Sequence, residues 1–333
     1  MIISKTAYRL SFFGGGSDYP AWFCKHEGAV LSTTINKYAY ISARYLPSFH
    51  EHKYRAVWSR IENVSSIEEI THPAIREILK FLDIQEGVVI NHDGDLPAAS
   101  GMGSSSSFIV GLLNALHHLK GEKVDKTMLA REAIYVEQTL VKNVVGNQDQ
   151  VAAAFGGLNV ITFHDTETCR PDPVGFCGFQ VRKLEIPDSR RKELESYLML
   201  AFTGFSHNAP EIAKTYKLDA GLMYEMQQMA FEGESRLYIG TMREFGRMLD
   251  YSWELKKRMS PHITTQYVDF LYEKAIASGA IGGKLLGAGG GGFLLLFCEP
   301  DKQQCVKEAL KGMLFVPFEF ENKGSSIIAN GVE

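Results

Sequence analysis

The stretch Pro97-Ala98-Ala99-Ser100-Gly101-Met102-Gly103-Ser104-Ser105-Ser106-Ser107 is where this sequence most clearly offers chemistry. Two glycines flank Met102 and four serines follow, directly ahead of the apolar run from Phe108 to Leu119. Glycine lets a backbone come close to a ligand, and the first turn of a helix presents unpaired N–H donors at a positive dipole end. Together they make a phosphate cradle built mostly from main chain, in which a serine hydroxyl can also reach Mg²⁺. A Gly/Ser-rich stretch can instead be a flexible linker. A linker, however, is not expected between a strand and an all-apolar helix.

Two further glycine clusters invite other readings. Gly287-x-Gly289-x-x-Gly292 is a literal match to the dinucleotide fingerprint, but that fingerprint follows a strand and opens a helix. Here the strand-like Phe293 to Phe297 comes after it. Gly279 to Lys284 resembles a P-loop, with one residue too few between its glycines and Leu285 where Ser or Thr should bind Mg²⁺. Neither reading fits. The third cluster, Gly14-Gly15-Gly16, runs into Ser17-Asp18.

The elements that must position these residues can be read from pattern. Ala7 to Phe13 reads as a strand entering the first glycines, and Ala29 to Ile41 as paired strands. Gly87 to Asn91 reads as a strand leading to the serine cluster, and Phe108 to Leu119, apolar on nearly every side, as a buried helix stopped at Lys120-Gly121. A helix from about Asp125 to Val141 puts Leu129, Ala133, Val136 and Leu140 on one face, with Glu137 at its edge. Gly146 to Asp149 reads as a turn. Pro171, Pro173 and Gly175 mark a boundary within Asp165 to Val181, which gives domains at 1–175 and 176–333. Beyond it, about Ala220 to Met259 is helical, and its Met223, Met226, Met229 and Met248 are expected in the core rather than in a pocket.

Composition narrows the class. In 333 residues, 45% hydrophobic and 22% charged, there is enough apolar matter for a full core. A net charge of −4 with mixed signs argues against nucleic acid, which calls for a basic stripe. Five cysteines, with no C-x-x-C pair, suggest neither a disulfide framework nor a zinc site and fit a cytoplasmic protein. No apolar run approaches a membrane span. The pairs His50/His52 and His117/His118 lack a third ligand and read as surface or core residues.

Pro97-x-x-Ser100-Gly101-Met102-Gly103-Ser104-Ser105 resembles the central motif of the GHMP kinases (galactokinase, homoserine kinase, mevalonate kinase and phosphomevalonate kinase among them). Tyr8-Arg9-Leu10 followed by Gly14 to Tyr19 resembles the first motif of that family, and Lys284 to Gly292 the third. Three motifs in order span almost the whole chain. The resemblance implies an α+β fold: an amino-terminal domain like the second domain of ribosomal protein S5, a ferredoxin-like carboxy-terminal domain, and the site between them. It implies ATP as phosphoryl donor, held by Pro97, Ser100, Gly101, Met102, Gly103, Ser104, Ser105 and Ser106. Mg²⁺ would lie on Ser105 and Glu137, with Asp149 as catalytic carboxylate and Arg9 as the cation that keeps it ionised. Whether Asp149 takes the proton of the acceptor hydroxyl or only orients it stays open.

For the acceptor, the resemblance implies a sugar bound by Gly14, Gly15, Gly16, Ser17, Asp18, Ser206, His207, Gly289 and Gly290. Galactokinases carry Glu and His where this chain has Gly15 and Gly16, which speaks against galactose. The glycine strings look most like the D-glycero-D-manno-heptose 7-phosphate kinases, which phosphorylate the anomeric hydroxyl. Many relatives carry Arg where His207 stands, and Arg suits a phosphate fork better than imidazole. A distal phosphate, a fucose-type sugar and a non-catalytic sugar sensor therefore stay open, as does a homodimer. Trp58 and its neighbours are candidates for the adenine pocket.

Overall fold

The computed structural model describes residues 1–164, 178–205, 209–217 and 219–331. Ser206, His207 and the boundary residues Pro171, Pro173 and Gly175 lie outside them. The first strand, β1 (Ile2–Phe13), runs antiparallel to β2 (Gly28–Tyr45) along almost its whole length. The paired strands expected in Ala29 to Ile41 are thus one continuous strand. The reason is what flanks it: no glycine or proline falls within 29–45, Asn36 and Lys37 are absorbed as a bulge opposite β1, and three short strands share its far edge end to end. Those are β6 (Asn159–His164) against 28–32, a two-residue strand at Phe320–Glu321 against Thr34 and Ile35, and β5 (Val88–Gly94) against 39–45. Between β2 and β5 the chain forms β3 (Tyr54–Val57) and β4 (Ile61–Val64). It then makes a crossover helix α1 (Pro73–Phe81), which allows β3 to pair parallel with β5.

Helix α2 (Ser104–Leu119) packs against β1 and β2, and its side chains from Ser106 to Leu116 are all buried. This is the all-apolar helix expected from sequence, begun one turn earlier by the serines. Helix α3 (Lys126–Tyr135) is capped by the Asp125 side chain on the Met128 N–H and runs on into a single π-helical turn at Val136–Leu140. Helix α4 (Gln148–Phe155) opens sooner than expected, so Asp149 stands in its first turn rather than in a bend before it.

The rest of the chain adds β7 (Gly178–Lys183) beside β6, then builds a second sheet. It consists of β8 (Leu198–Phe202), β9 (Ala280–Leu285), β10 (Phe293–Cys298) and β11 (Leu314–Phe315), ordered β11-β8-β10-β9 with all neighbours antiparallel. In chain order that is 4-1-3-2, the ferredoxin-like arrangement. Helices α5 (Ala220–Ile239), α6 (Met242–Met259) and α7 (Gln266–Ala277) connect β8 to β9, and α8 (Gln303–Ala309) connects β10 to β11. The long helical stretch expected at 220–259 is therefore two helices, broken at Gly240 and restarted by a Thr241/Glu244 capping box. Met223, Met226 and Met229 are buried in the core, as expected.

The two sheets meet at Phe245 of α6, whose ring lies 5.5 Å from Phe12, 5.1 Å from Phe13 and 5.7 Å from Phe297. The chain then returns to the first sheet: β12 (Phe320–Glu321) joins β2, and β13 (Ser326–Asn330) pairs with β1. The fold is α+β. The expected cut at 175/176 falls outside the described residues, and β7, β12 and β13 on its carboxy side all belong to the first sheet. A division by sheet is not a single cut in the chain.

Candidate active site

The loop from Leu96 to Gly103 arrives from β5 and ends in Gly103, whose left-handed backbone (φ 72°) caps α2 without a side-chain hydrogen bond. Within the helix the first N–H with a main-chain partner is that of Ser107, which bonds Gly103 O at 2.9 Å. The N–H groups of Ser104, Ser105 and Ser106 are left open toward a cavity of about 540 Å³. Open N–H groups at a helix amino terminus can cradle an anion.

Beside it stands a carboxylate held in a fork. Arg9, on β1 and 4% exposed, donates from Nε to Asp149 Oδ1 at 2.6 Å and from a terminal nitrogen to Oδ2 at 2.8 Å. Its remaining terminal nitrogen bonds Gly101 O at 2.7 Å. Such a bidentate pair fixes the carboxylate plane as well as its charge. A Cβ placed on Gly103 would lie 3.2 Å from Asp149 Oδ2, so the carboxylate abuts the cap of α2.

Glu137 lies on the π-helical turn, 1% exposed. Ser105 Oγ donates to its Oε1 at 2.7 Å, and Ser106 Oγ and Gln150 Nε2 to its Oε2 at 2.7 and 2.6 Å. Burial raises its pKa, the three donors oppose that, and nearby Asp149 adds to it. No cationic side chain pairs with Glu137 among the described residues. The set fits Mg²⁺, a hard cation that takes carboxylate and hydroxyl oxygen. No group of three His, Cys, Asp or Glu gathers among the described residues. Further ligands to an ion on Ser105 and Glu137 would come from nucleotide phosphate and water.

Asp18 ties the first glycine loop to the turn before α4. Its Oδ1 accepts from the Gly16 N–H at 2.8 Å and its Oδ2 from the Gln148 N–H at 3.2 Å. Gly146 is required there, because a Cβ would fall 1.9 Å from Asp18 Oδ2. Asp18 is 1% exposed, and burial first, then the Asp149 charge, pushes its carboxyl up to about 6 against the backbone N–H bond from Gly16.

The cavity has two ends around this centre. Trp58, His72, His92 and Phe108 line one, with His72 lying 4.9 Å from the Trp58 ring and 5.0 Å from that of Phe108. Burial lowers both imidazoles, His72 to about 4, so the end is aromatic and uncharged near neutral pH. Gly15, Gly16, Tyr19, Tyr216, Lys256, Met259, Lys284 and Ala288 line the other. There Tyr216 donates to Ala288 O at 2.6 Å, and its ring lies 5.8 Å from Tyr19.

Of the residues expected to hold nucleotide, Gly101, Gly103, Ser104, Ser105 and Ser106 line the cavity. Pro97 is exposed and off it, while Ser100 and Met102 are buried beneath the loop, where Ser100 O accepts the Phe293 N–H at 3.1 Å and Met102 O the Arg9 N–H at 3.2 Å. Of those expected at the sugar, Gly15, Gly16 and Asp18 line it. Gly14 and Ser17 sit behind, the Ser17 hydroxyl donating to Gly14 O at 2.7 Å. Gly289 and Gly290 also lie off it: Gly290 N–H bonds Ile263 O at 2.8 Å, and Leu286, Gly287 and Ala288 face the cavity in their place. Sequence reasoning missed Gln150, Tyr216, His72, His92, Lys256 and the cavity-facing role of Lys284. For Lys256 a signal existed: it falls on the buried stripe Phe245, Leu249, Ser252, Met259 of α6, where a lysine is out of place.

Comparison with known proteins bears on the arrangement. Residues 69–157 match the family described as GHMP kinases N terminal domain, and residues 234–314 that described as GHMP kinases C terminal. The D-glycero-alpha-D-manno-heptose 7-phosphate kinase of Campylobacter jejuni is 26% identical over 328 residues, 93% of each chain. A galactokinase of Pyrococcus furiosus is 26% identical over 361 residues, covering 97% of this chain and 96% of its own. The crystal structure of a D-glycero-D-manno-heptose 1-phosphate kinase from Bacteroides thetaiotaomicron superposes with a TM-score of 0.81 at 25% identity, over 100% of both chains.

Proposed function

Because this chain belongs to the GHMP kinases and is a sugar kinase that transfers phosphate from ATP to a hydroxyl, we propose that its acceptor is the anomeric hydroxyl of D-glycero-D-manno-heptose 7-phosphate and its product the 1,7-bisphosphate. The observation that carries the chemistry is the Arg9–Asp149 fork set against the open amino terminus of α2. Phosphoryl transfer needs little covalent help; it needs charge met at the phosphates and the acceptor oxygen held in line. The free N–H groups of Ser104, Ser105 and Ser106 take phosphate oxygens. Asp149, fixed in plane by Arg9, accepts a hydrogen bond from the acceptor hydroxyl and points its oxygen at the phosphorus. Ser105 and Glu137 would hold Mg²⁺, which supplies neutralising charge to the transferring group when bound.

The aromatic end of the cavity suits a purine, which stacks on rings such as Trp58 and Phe108. The other end, with Gly15 and Gly16 where a hexose kinase carries side chains, has room for a longer sugar. The name of the Campylobacter relative specifies a heptose 7-phosphate, which favours that acceptor over a free hexose. That of the Bacteroides structure specifies a heptose 1-phosphate, whose anomeric oxygen is already phosphorylated, and so supports a heptose phosphate without supporting the position of transfer. Phosphorus NMR of the product tests the assignment. One new phosphate coupled to the anomeric proton, formed from heptose 7-phosphate and ATP, is expected. A new phosphate on any other carbon would contradict it.

A further inference from the structure

Two buried lysines at the acceptor end of the cavity have no counter-charge. Lys256 of α6 is 7% exposed and Lys284 of β9 is 3% exposed, and both line the cavity. An ammonium has three donors and no acceptor. Lys256 Nζ donates to Leu285 O at 2.8 Å and to Gly287 O at 2.5 Å. Lys284 Nζ donates to Phe12 O at 2.8 Å. One donor of Lys256, whose Nζ also lies 5.8 Å from the Trp253 ring, and two of Lys284 therefore have no hydrogen-bond partner among the described residues.

Nearby carboxylates are already engaged. Asp149 is clasped by Arg9, and Asp18 takes the Gly16 and Gln148 N–H groups. No ion pair reaches either lysine among the described residues, and the charges that bear on them are cationic: Lys284 and Arg9 on Lys256, Arg9 on Lys284. Burial, then Arg9, holds Lys284 down to about 7; burial, then Lys284 and Arg9, holds Lys256 well below the ordinary lysine range. Buried cations with open donors are costly unless an anion meets them.

We propose that Lys256 and Lys284 form an anion subsite for a phosphate carried by the sugar acceptor. The inference rests on the sugar-phosphate reading above and names the residues that would hold the phosphate its acceptor carries. The nucleotide's phosphates have partners of their own at the amino terminus of α2, beside Ser105 and Glu137. The two lysines instead belong to the wall shared with Tyr216, Met259 and the Leu286 to Ala288 loop. Lys256 also anchors that loop through Gly287 O, so an anion drawn to it bears on the loop beside Gly101.

Two readouts separate failure of this subsite from failure of the kinase reading. In the first, inorganic phosphate is titrated by calorimetry into the full chain saturated with Mg²⁺ and a non-hydrolysable ATP analogue, which fills the nucleotide's own phosphate positions. One phosphate site is expected, weakened on the order of 10- to 100-fold in Lys256→Met and again in Lys284→Met, the loss of a charge-assisted hydrogen bond. No site, or an affinity unchanged from the parent in both variants, overturns the proposal even if the chain is an active kinase. In the second, kcat/KM is measured for heptose 7-phosphate and for the unphosphorylated heptose. The preference for the phosphorylated sugar, as a ratio, is expected to collapse by a similar factor in Lys256→Met and to be partly restored in Lys256→Arg. An unchanged ratio, or a loss seen only in the KM for ATP, overturns it. Should Lys256→Met fail to fold, competition in the unaltered chain decides: inorganic phosphate must compete with the sugar phosphate, and competition with ATP alone contradicts the subsite.

Discussion

At the scale of single residues, Asp18 shows what holding a buried charge in place at the site costs. Its carboxylate is buried where it must stay to tie Gly16 to Gln148, and its pKa rises from 3.8 to about 6. The sign follows from proton counting. Between about pH 4 and 6 the folded chain keeps a proton that the unfolded chain has released, so this group makes stability fall as pH rises through that window and level off above it. The size is on the order of 3 kcal/mol. Denaturant unfolding at pH 4, 5, 6 and 7 is expected to lose that part of its slope in Asp18→Asn; a slope identical to the parent would contradict the assignment. Asp149 and Glu137 were legible from sequence only through the order of the three motifs, since neither stands out alone. Pro97, Ser100 and Met102 were read as ligand contacts because they belong to the same motif. One-dimensional spacing does not tell the residues that shape a loop from those that face its ligand.

At the scale of elements, the central loop and the last glycine loop are pressed backbone to backbone. A Cβ on Gly101 (φ 81°) would lie 2.4 Å from Leu286 O, and one on Gly287 (φ 71°) 2.4 Å from the Cα of Gly101. Gly101→Ala therefore combines a clash with a left-handed backbone and is expected to destabilise by at least about 2 kcal/mol. It should also weaken ATP binding, because the same loop delivers Gly103 to the head of α2. Thermal unfolding and nucleotide titration check both; loss of neither would mean that the loops separate freely. Thr241→Ala is the matching control. It removes the capping box of α6, whose Thr241 side chain accepts the Glu244 N–H, and neither residue lines the cavity. About 1 kcal/mol of stability should go, with KM for ATP unchanged; a shift in KM would tie the start of α6 to the site. Element type was well read where pattern was strong, as in α2. The 18-residue β2 was split in the sequence reading because its alternation is patchy. The patches follow from three different neighbours along one edge, which only the tertiary structure brings together.

At the scale of the whole molecule, the carboxy-terminal return straps the half that carries Arg9 and Asp149. Glu321 O accepts from the Gly157 N–H at 3.1 Å and from Thr34 Oγ1 at 2.6 Å, and the Ser325 N–H bonds Ala153 O at 2.8 Å on α4, the helix that carries Asp149. A chain ending at Glu319 loses no cavity-lining residue, yet it bares the edge of β1 and the end of α4. It is expected to melt at markedly lower temperature and lose turnover, and a shortened chain with full activity would contradict this dependence. Such long-range closure leaves no local mark, which is why the sequence suggested one cut near 175 where the structure weaves one sheet from both ends. On the proposed function, a sugar phosphate receives the phosphoryl group under the direction of Asp149. ADP release with Mg²⁺ and ATP, followed for the full chain and for Asp149→Asn across heptose 7-phosphate, mannose, fucose, galactose and mevalonate, tests it most directly. The prediction is turnover confined to the heptose phosphate, falling by about 10²- to 10⁴-fold in the variant while ATP still binds. Undiminished turnover in Asp149→Asn, or turnover on a free sugar alone, would contradict it.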